Sequence, residues 1–227
     1  MIESMSPSYS DSEDEYFSYC LSDPKWLPTY SQLIQQFRSL DSSELAYTLR
    51  SNDIRFIHEF FNQEFVEQLS LYLIHQFQDP KLQPRKVLEI CAGDGLLSHH
   101  LNQQLKPFNI ESVPTDSKTN RIPEWFPVKK LNHQQAIETH PYPIVLCSWM
   151  PKGLDLTPDL RNASCISEYI LIGDPQVCGH PIESWLEEYP NFRRHPINSA
   201  HQFQFGLTDS PIENIFKSQI FSFRRTV

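Results

Sequence analysis

The chain has 227 residues, 39% of them hydrophobic, and a formal net charge of −9. This length suits one domain with an added segment, and the acidic balance argues against general binding to nucleic-acid backbones. No apolar run is as long as a membrane span, and the N-terminus lacks the cationic start and apolar core of a secretory signal. The five cysteines are scattered, without a CxxC pair, which favours reduced thiols and a cytoplasmic, intracellular location.

The first third of the chain divides into two segments. Residues 1–23 are rich in serine and acidic residues and lack periodicity, so we expect a disordered acidic tail. Residues 24–80 carry apolar residues at helical spacing, which predicts an N-terminal helical extension of three or four helices. We expect this extension to act as a lid, or as a wall of the acceptor pocket, over the carboxyl edge of the sheet. Asp41 followed by Glu44 has the spacing of a capping box, and the Asp79-Pro80 pair marks the end of the last helix.

Residues 84–227 show a different pattern, in which short apolar runs alternate with helical segments. The predicted strands are 87–90, 110–113, 128–131, 144–147, 169–172 and 215–223, and the predicted helices are 96–105, 133–138, 158–164 and 182–189. This alternation predicts an α/β fold with a mostly parallel sheet and helices on both faces. We expect a Rossmann-like three-layer sandwich with a seven-stranded sheet, one strand more than the six runs. The last run alternates apolar and polar residues, which indicates an antiparallel late strand near an edge.

A glycine turn, Gly93-Asp94-Gly95, lies between the first predicted strand and its helix. Such a turn lets backbone approach a ligand, and the following helix offers free N–H groups. A dinucleotide-binding turn would have a third glycine where Ser98 stands, and a phosphate-binding P-loop would continue with Gly-Lys-Ser/Thr. Neither pattern is present, although a nicotinamide-dependent oxidoreductase stays open as an alternative.

The stretch VLEICAGDGLLSHHL resembles motif I of the class I S-adenosylmethionine-dependent methyltransferases. Glu89 matches the acid of that motif, and Gly93 and Gly95 match its second and third glycines, whereas Cys91 replaces the first. The resemblance implies that S-adenosylmethionine is the cofactor and that the loop passes its methionine moiety. The cofactor-binding residues that it implies in this loop are Glu89, Cys91, Ala92, Gly93 and Gly95.

The resemblance also implies binding residues at the ends of the following strands. Asp116 would bind the ribose hydroxyls, because charge-assisted hydrogen bonds are strong, and Asn132 and His133 would lie near the adenine. Ser148 would end the fourth strand at the reaction site, where Trp149 and Met150 would form an apolar substrate pocket. The Ser-Trp-Met-Pro sequence departs from the Asn/Asp-Pro-Pro-aromatic motif of methyltransferases that act on planar amines, which argues against a nucleic-acid substrate.

Residues for acid–base chemistry and metal binding are few. His180 and Asp155 are the candidate bases for an acceptor hydroxyl or amine. His99 and His100 are consecutive on a predicted helix and point about 100° apart, so we expect no metal site. The first hypothesis is therefore a methyltransferase that acts on a small-molecule or protein acceptor. The alternative is a non-catalytic domain that binds the cofactor or another protein. The acceptor and the oligomeric state do not follow from the sequence.

Overall fold

The computed structural model describes residues 25–40, 57–117, 126–139, 141–179 and 181–226. Within these ranges, helices cover both faces of one sheet, and a short 3-10 turn spans Lys106–Phe108. The helices are α1 (Tyr30–Ser39), α2 (Gln63–Gln76), α3 (Leu96–Leu105), α4 (His133–Thr139), α5 (Thr157–Asn162), α6 (Glu183–Leu186) and α7 (Asn198–His201). The strands are β1 (Lys86–Ile90), β2 (Glu111–Thr115), β3 (Ile144–Ser148), β4 (Glu168–Gly173), β5 (Phe192–Pro196) and β6 (Gln219–Arg225).

The strands are ordered β2-β1-β3-β4-β6-β5 across the sheet. The first four are parallel, with Leu88 in register with both Val113 and Val145. The late strand β6 runs antiparallel to β4 and to β5, as the sequence predicts. The strand order reverses at β1, because β2 lies on one side of it and β3 on the other. In open α/β sheets, this reversal is where ligands bind, beyond the carboxyl ends of the strands.

The core is built from the alternation of side chains along these strands. In β1, Leu88 and Ile90 pack with α4, α5 and α6, whereas Val87 packs on the other face with α2, α3 and α7. The result is the three-layer arrangement expected from strands that alternate with helices. A smaller apolar cluster around Phe37, Phe60 and Phe205 joins α1 to the loop before β6.

Two features of the sheet differ from the sequence prediction. Residues 128–131 form a single parallel bridge, from Lys129 to Thr115, rather than a strand. Pro127 has no N–H to donate, and Lys129 and Lys130 are exposed. The described residues therefore hold six strands rather than seven. Strand β5 was not predicted, because its Phe-Arg-Arg-His-Pro sequence has one buried residue, Phe192, among charged and exposed ones.

The predicted N-terminal extension contributes two helices in the described residues. Helix α1 begins with a capping box, in which the Thr29 side chain accepts a hydrogen bond from the Gln32 N–H. Helix α2 is capped by Asn62 and packs against α3 and α7, within the same layer as the helices of the sheet. The predicted tail and the Asp41–Glu44 capping box lie outside the described residues.

Candidate functional site

A cavity of about 500 Å³ opens at the carboxyl edge of the sheet, at the reversal between β1 and β3. Loops that follow β1, β2 and β3 form most of its wall, and residues before α2 complete it. The wall consists of Ile57, His58, Glu59, Phe61, Glu89, Cys91, Ala92, Gly93, Asp94, Leu97, Thr115, Asp116, Ser117, Leu131, Asn132, His133, Ser148, Trp149, Pro151, Leu154 and Leu156. Most of the residues that the resemblance implies are thus brought together.

The glycine turn after β1 folds back in left-handed backbone conformations. Cys91, Gly93 and Gly95 have φ values of 56°, 58° and 78°, a region that glycine occupies without strain. Cys91 therefore adopts the left-handed conformation that the glycine of the motif would adopt, so cysteine at this position leaves the turn intact. Gly95 is the N-cap of α3 and is absent from the cavity wall. A Cβ on Gly95 would lie 2.8 Å from the Val128 Cγ2 atom, so this glycine serves packing of the turn.

Asp116 connects the end of β2 to the glycine turn. Its Oδ2 atom accepts a hydrogen bond from the Gly93 N–H at 3.0 Å, and its own N–H donates to the Lys129 carbonyl at 3.0 Å. The carboxylate is only partly buried and lines the cavity. An ionised carboxylate has about four acceptor sites, so Asp116 can hold the turn and still accept hydrogen bonds from ligand hydroxyls.

Glu89 lies beneath the turn and is 2% exposed. Its Oε2 atom accepts hydrogen bonds from the Ser98 N–H at 3.1 Å and from the Ser98 hydroxyl at 2.5 Å. Burial raises the pKa of Glu89 to about 8, although the Ser98 hydrogen bonds oppose this shift. Glu89 therefore anchors the first turn of α3 while also forming part of the cavity wall.

Asn132 and His133 reach the cavity at the start of α4. The Asn132 side chain accepts a hydrogen bond from the Gln135 N–H at 2.9 Å and so caps the helix. The His133 Nε2 atom lies 2.7 Å from the Asp159 Oδ2 atom of α5. The hydrogen bond to His133 is the main cause of the lowered pKa of Asp159. Both predicted residues thus lie on the wall, fixed by contacts between neighbouring helices.

The end of β3 contributes Ser148 and Trp149 to the cavity wall. Trp149 has a φ of 50°, which is a true outlier for a bulky residue. Its indole Nε1–H donates to the Glu59 Oε2 atom at 2.5 Å, and the His58 ring stacks on it with centroids 5.5 Å apart. Met150, by contrast, is 2% exposed and packs into the core with Leu156. Met150 is therefore not part of this wall, contrary to the sequence prediction.

The two predicted bases have different outcomes. His180 lies outside the described residues. The Asp155 Oδ1 atom accepts hydrogen bonds from the Thr157 N–H and hydroxyl at 3.0 and 2.7 Å, and Asp155 is absent from the cavity wall. Asp155 thus holds the start of α5 rather than facing a ligand, because its carboxylate satisfies helix N–H and hydroxyl groups in the way that N-cap residues do.

The residues just before α2 were not predicted individually as site residues, although the helical extension was expected to form a lid or a wall of the acceptor pocket. Ile57, His58, Glu59 and Phe61 all line the cavity. Burial lowers the pKa of His58 and raises that of Glu59 to about 8. The signal available in the sequence was two adjacent titratable residues inside the apolar run Ile-Arg-Phe-Ile-His-Glu-Phe-Phe.

Within the described residues, no group of three or more His, Cys, Asp or Glu side chains is placed to hold a metal ion. No helix in the same part of the chain is long and apolar enough to span a membrane.

Comparison with known proteins gives matches among solved structures alone. No protein-family model matches the chain, and no curated protein matches it. A methyltransferase from Archaeoglobus fulgidus, described as S-adenosylmethionine-dependent, is 15% identical with a TM-score of 0.38, over 71% of this chain and 94% of that one. The plantazolicin methyltransferase BamL, solved with S-adenosylhomocysteine and a triazolic desmethylPZN analogue, is 12% identical with a TM-score of 0.46, over 92% of this chain and 98% of that one. The magnesium protoporphyrin IX methyltransferase of Synechocystis, solved with S-adenosylmethionine, is 14% identical with a TM-score of 0.42, over 97% and 100%.

Proposed function

We propose that this protein is an S-adenosylmethionine-dependent methyltransferase that acts on a small-molecule or peptide acceptor. The observation that carries the proposal is the position and composition of the cavity. It lies at the strand-order reversal of a parallel sheet, where such folds bind ligands. Its floor is a glycine turn, and that turn is hydrogen-bonded to the carboxylate that ends the next strand.

The residues on one side of the cavity suit this cofactor. Gly93 leaves the turn without a side chain that would fill the space, and the Asp116 carboxylate offers acceptor sites for two ribose hydroxyls. Asn132 and His133 provide polar groups, with Leu131 beside them as an apolar surface for a flat ring. When bound, S-adenosylmethionine supplies an activated methyl group on a sulfonium. Ser148 lies at the end of β3, between this side and the acceptor side.

The acceptor side is largely apolar. Ile57, Phe61, Trp149, Leu154 and Leu156 line it, which suits an acceptor with an apolar or aromatic part rather than a highly charged one. The work of the protein is then to hold the acceptor atom in line with the methyl group, about 3–3.5 Å away, and to exclude water. His58, whose pKa is lowered by burial, is uncharged at neutral pH and can take the acceptor's proton.

Binding of S-adenosylhomocysteine, the demethylated cofactor, tests this function. Saturating ligand should raise the melting temperature, because it binds the native state and not the unfolded chain. Asp116→Ala should weaken the affinity measured by calorimetry roughly 10-fold to 100-fold, since ribose hydroxyls lose a charged partner. Glu111→Ala is the matched control: Glu111 begins the same strand at the opposite edge and pairs on the surface with Lys86 at 2.7 Å.

The control should bind S-adenosylhomocysteine as the unmodified protein does. If the unmodified protein shows no binding, the proposed cofactor is wrong. Stabilisation by NAD or NADP instead would favour an oxidoreductase. If Asp116→Ala and Glu111→Ala bind equally well, the ligand lies in another part of the molecule.

A further inference from the structure

Trp149 combines backbone strain with close confinement of its ring. Its left-handed φ of 50° is strained for a residue with a Cβ. Two glycines provide room for the indole: a Cβ on Gly206 would lie 2.7 Å from Trp149 Cζ2, and one on Gly173 would lie 3.5 Å from Cδ1 and Cδ2. Strain of this kind persists only where the surroundings over-determine the conformation, and it is concentrated at functional sites.

The polar contact that fixes the ring comes from Glu59. The Trp149 Nε1–H and Glu59 Oε2 atoms are 2.5 Å apart, and the two residues are 9% and 5% exposed. A hydrogen bond between two buried groups restricts rotation of the ring about its side-chain bonds. Packing alone would restrict this rotation only through steric contacts. The same indole forms part of the cavity wall on the acceptor side.

Glu59 is itself held by backbone contacts from a distant part of the chain. It forms an antiparallel bridge with Gly206, and hydrogen bonds flank this bridge from Phe60 N–H to Phe205 O and from Leu207 N–H to His58 O, both 2.8 Å. The carboxyl group therefore has a fixed position from which to hold Trp149. A Cβ on Gly206 would also lie 3.1 Å from the Glu59 Oε2 atom, so one glycine makes room for both partners.

The titratable groups near Glu59 lie on three elements. His58 precedes it on its own segment, Asp209 lies in the loop before β6, and Cys178 lies in the loop after β4. Burial is the main cause of the raised pKa of Glu59, and Asp209 adds to it, whereas the Trp149 hydrogen bond acts in the opposite direction. The indole N–H is therefore a group that stabilises the ionised form of this buried carboxyl.

We propose that Glu59 is a positioning residue that fixes the Trp149 indole as the wall against which a flat, apolar acceptor packs. The inference rests on the proposed function, because it assigns the acceptor side of the same cavity. Trp149 then selects acceptors by the orientation of its ring, and Glu59 sets that orientation through its hydrogen bond to the indole N–H. Removing the hydrogen bond should loosen the ring and weaken acceptor binding while the cofactor side of the cavity is unchanged.

The indole N–H resonance in two-dimensional NMR spectra tests the contact without any ligand. Trp149→Phe identifies the resonance by its loss. Above pH 8, Glu59→Gln should shift it upfield, because a neutral amide oxygen is a weaker acceptor than the ionised carboxylate. In the unmodified protein the resonance should move downfield as the pH rises through about 8, and Glu59→Gln should abolish that movement. Glu168→Gln is the matched control, since Glu168 is also buried but begins β4 at the opposite edge of the sheet.

The control should leave the Trp149 resonance and its titration unchanged. A resonance that Glu59→Gln does not move, or a titration that persists in that variant, would overturn the assignment. His58, stacked on the indole, titrates separately, because burial lowers its pKa below 6.5.

A double-mutant cycle tests the consequence for the acceptor, with 2-naphthol as a flat probe and protein saturated with S-adenosylhomocysteine. Glu59→Leu should raise the dissociation constant of 2-naphthol about 10-fold, whereas Glu59→Gln, which keeps an acceptor for the indole N–H, should raise it less. Trp149→Leu should weaken binding at least as much. The double variant should be no worse than Trp149→Leu alone, because Glu59 acts through the indole.

Additive losses in the cycle, or equal binding by all variants, would overturn the positioning role. The affinity for S-adenosylhomocysteine separates this outcome from failure of the proposed function. It should stay within about twofold in every variant, whereas absence of cofactor binding in the unmodified protein would reject the function itself.

Discussion

Cys91 has a left-handed backbone conformation in the turn and lies next to Cys147, a buried cysteine of β3. A hydrogen bond between their side chains and burial together raise the pKa of Cys147 well above its ordinary value. Cys147 is therefore a thiol at neutral pH, and Cys91 contributes packing against the core. Cysteine in place of the motif's glycine thus adds backbone strain at this position and gains a contact between side chains.

Substitution of Cys91 tests the balance between backbone strain and side-chain packing. Cys91→Gly removes the strain of about 1–2 kcal/mol but loses the packing and increases the entropy of the unfolded chain. We therefore expect the free energy of unfolding to change by less than about 1 kcal/mol. Cys91→Val, which places a β-branched side chain at φ 56°, should destabilise by about 2 kcal/mol or more. Urea denaturation measures both. Equal effects of the two variants would mean that the backbone at this position is unstrained.

At the scale of elements, the loop before β6 and the end of β3 meet at Gly206. A Cβ at this position would lie 2.2 Å from the Ser218 hydroxyl oxygen and 2.7 Å from the Trp149 ring. Gly206→Ala should therefore lower the free energy of unfolding by about 1–3 kcal/mol through overpacking, and urea denaturation would measure it. Gly153→Ala is the control: its φ is 82° and nothing lies within 4 Å of the new Cβ, so its cost should be about 1 kcal/mol, from backbone conformation alone. A larger loss in the control would contradict the packing at Gly206.

The sequence predicts the elements that have strong local patterns. Helix α3 has the predicted bounds, and β1, β3 and β4 agree with prediction within one residue at each end, because buried parallel strands form continuous apolar runs. Strand β5 lacks that pattern, since its pairing with β6 depends on a partner far along the chain. The single bridge at Lys129 similarly depends on tertiary pairing that no local spacing reveals.

The two sides of the candidate site differ in the same way. Strand-end residues such as Asp116 and Ser148 are predictable, because parallel strands bring their carboxyl ends to one edge. Glu59 reaches that edge only through its bridge to Gly206, a contact across more than half of the chain. The local sequence pattern shows that the neighbours of Glu59 are apolar, but it gives no information about which loop Glu59 contacts.

At the scale of the whole molecule, buried carboxyl groups make stability depend on pH. Burial raises the pKa of Glu59 and Glu89 to about 8, from ordinary values near 4.5. The folded protein thus keeps protons that the unfolded chain releases, and the resulting stabilisation is lost as the pH rises through about 8. The lowered pKa values of His58, His99 and His195 affect stability only below about pH 6.5. They therefore do not change its pH dependence above pH 7.

Urea denaturation between pH 7 and 8.5 measures this dependence. The free energy of unfolding should fall with pH, by at most about 1.4 kcal/mol per pH unit for each carboxyl group. Combining Glu59→Gln with Glu89→Gln should flatten the profile, because amides do not titrate. Stability that does not fall over this range in the unmodified protein would show that the two carboxyl groups are already ionised in the folded state.

The chain has 6 glycines and 18 prolines, and their positions affect how the conformational entropy of the backbone is distributed along the chain. All six glycines lie at or next to the carboxyl edge of the sheet: Gly93 and Gly95 after β1, Gly153 after β3, Gly173 at the end of β4, Gly179 after it, and Gly206 against Trp149. Glycine loses more backbone freedom on folding than any other residue. The entropic cost per residue is therefore highest around the cavity, and a ligand that orders those segments would act on the part of the backbone with the most freedom to lose.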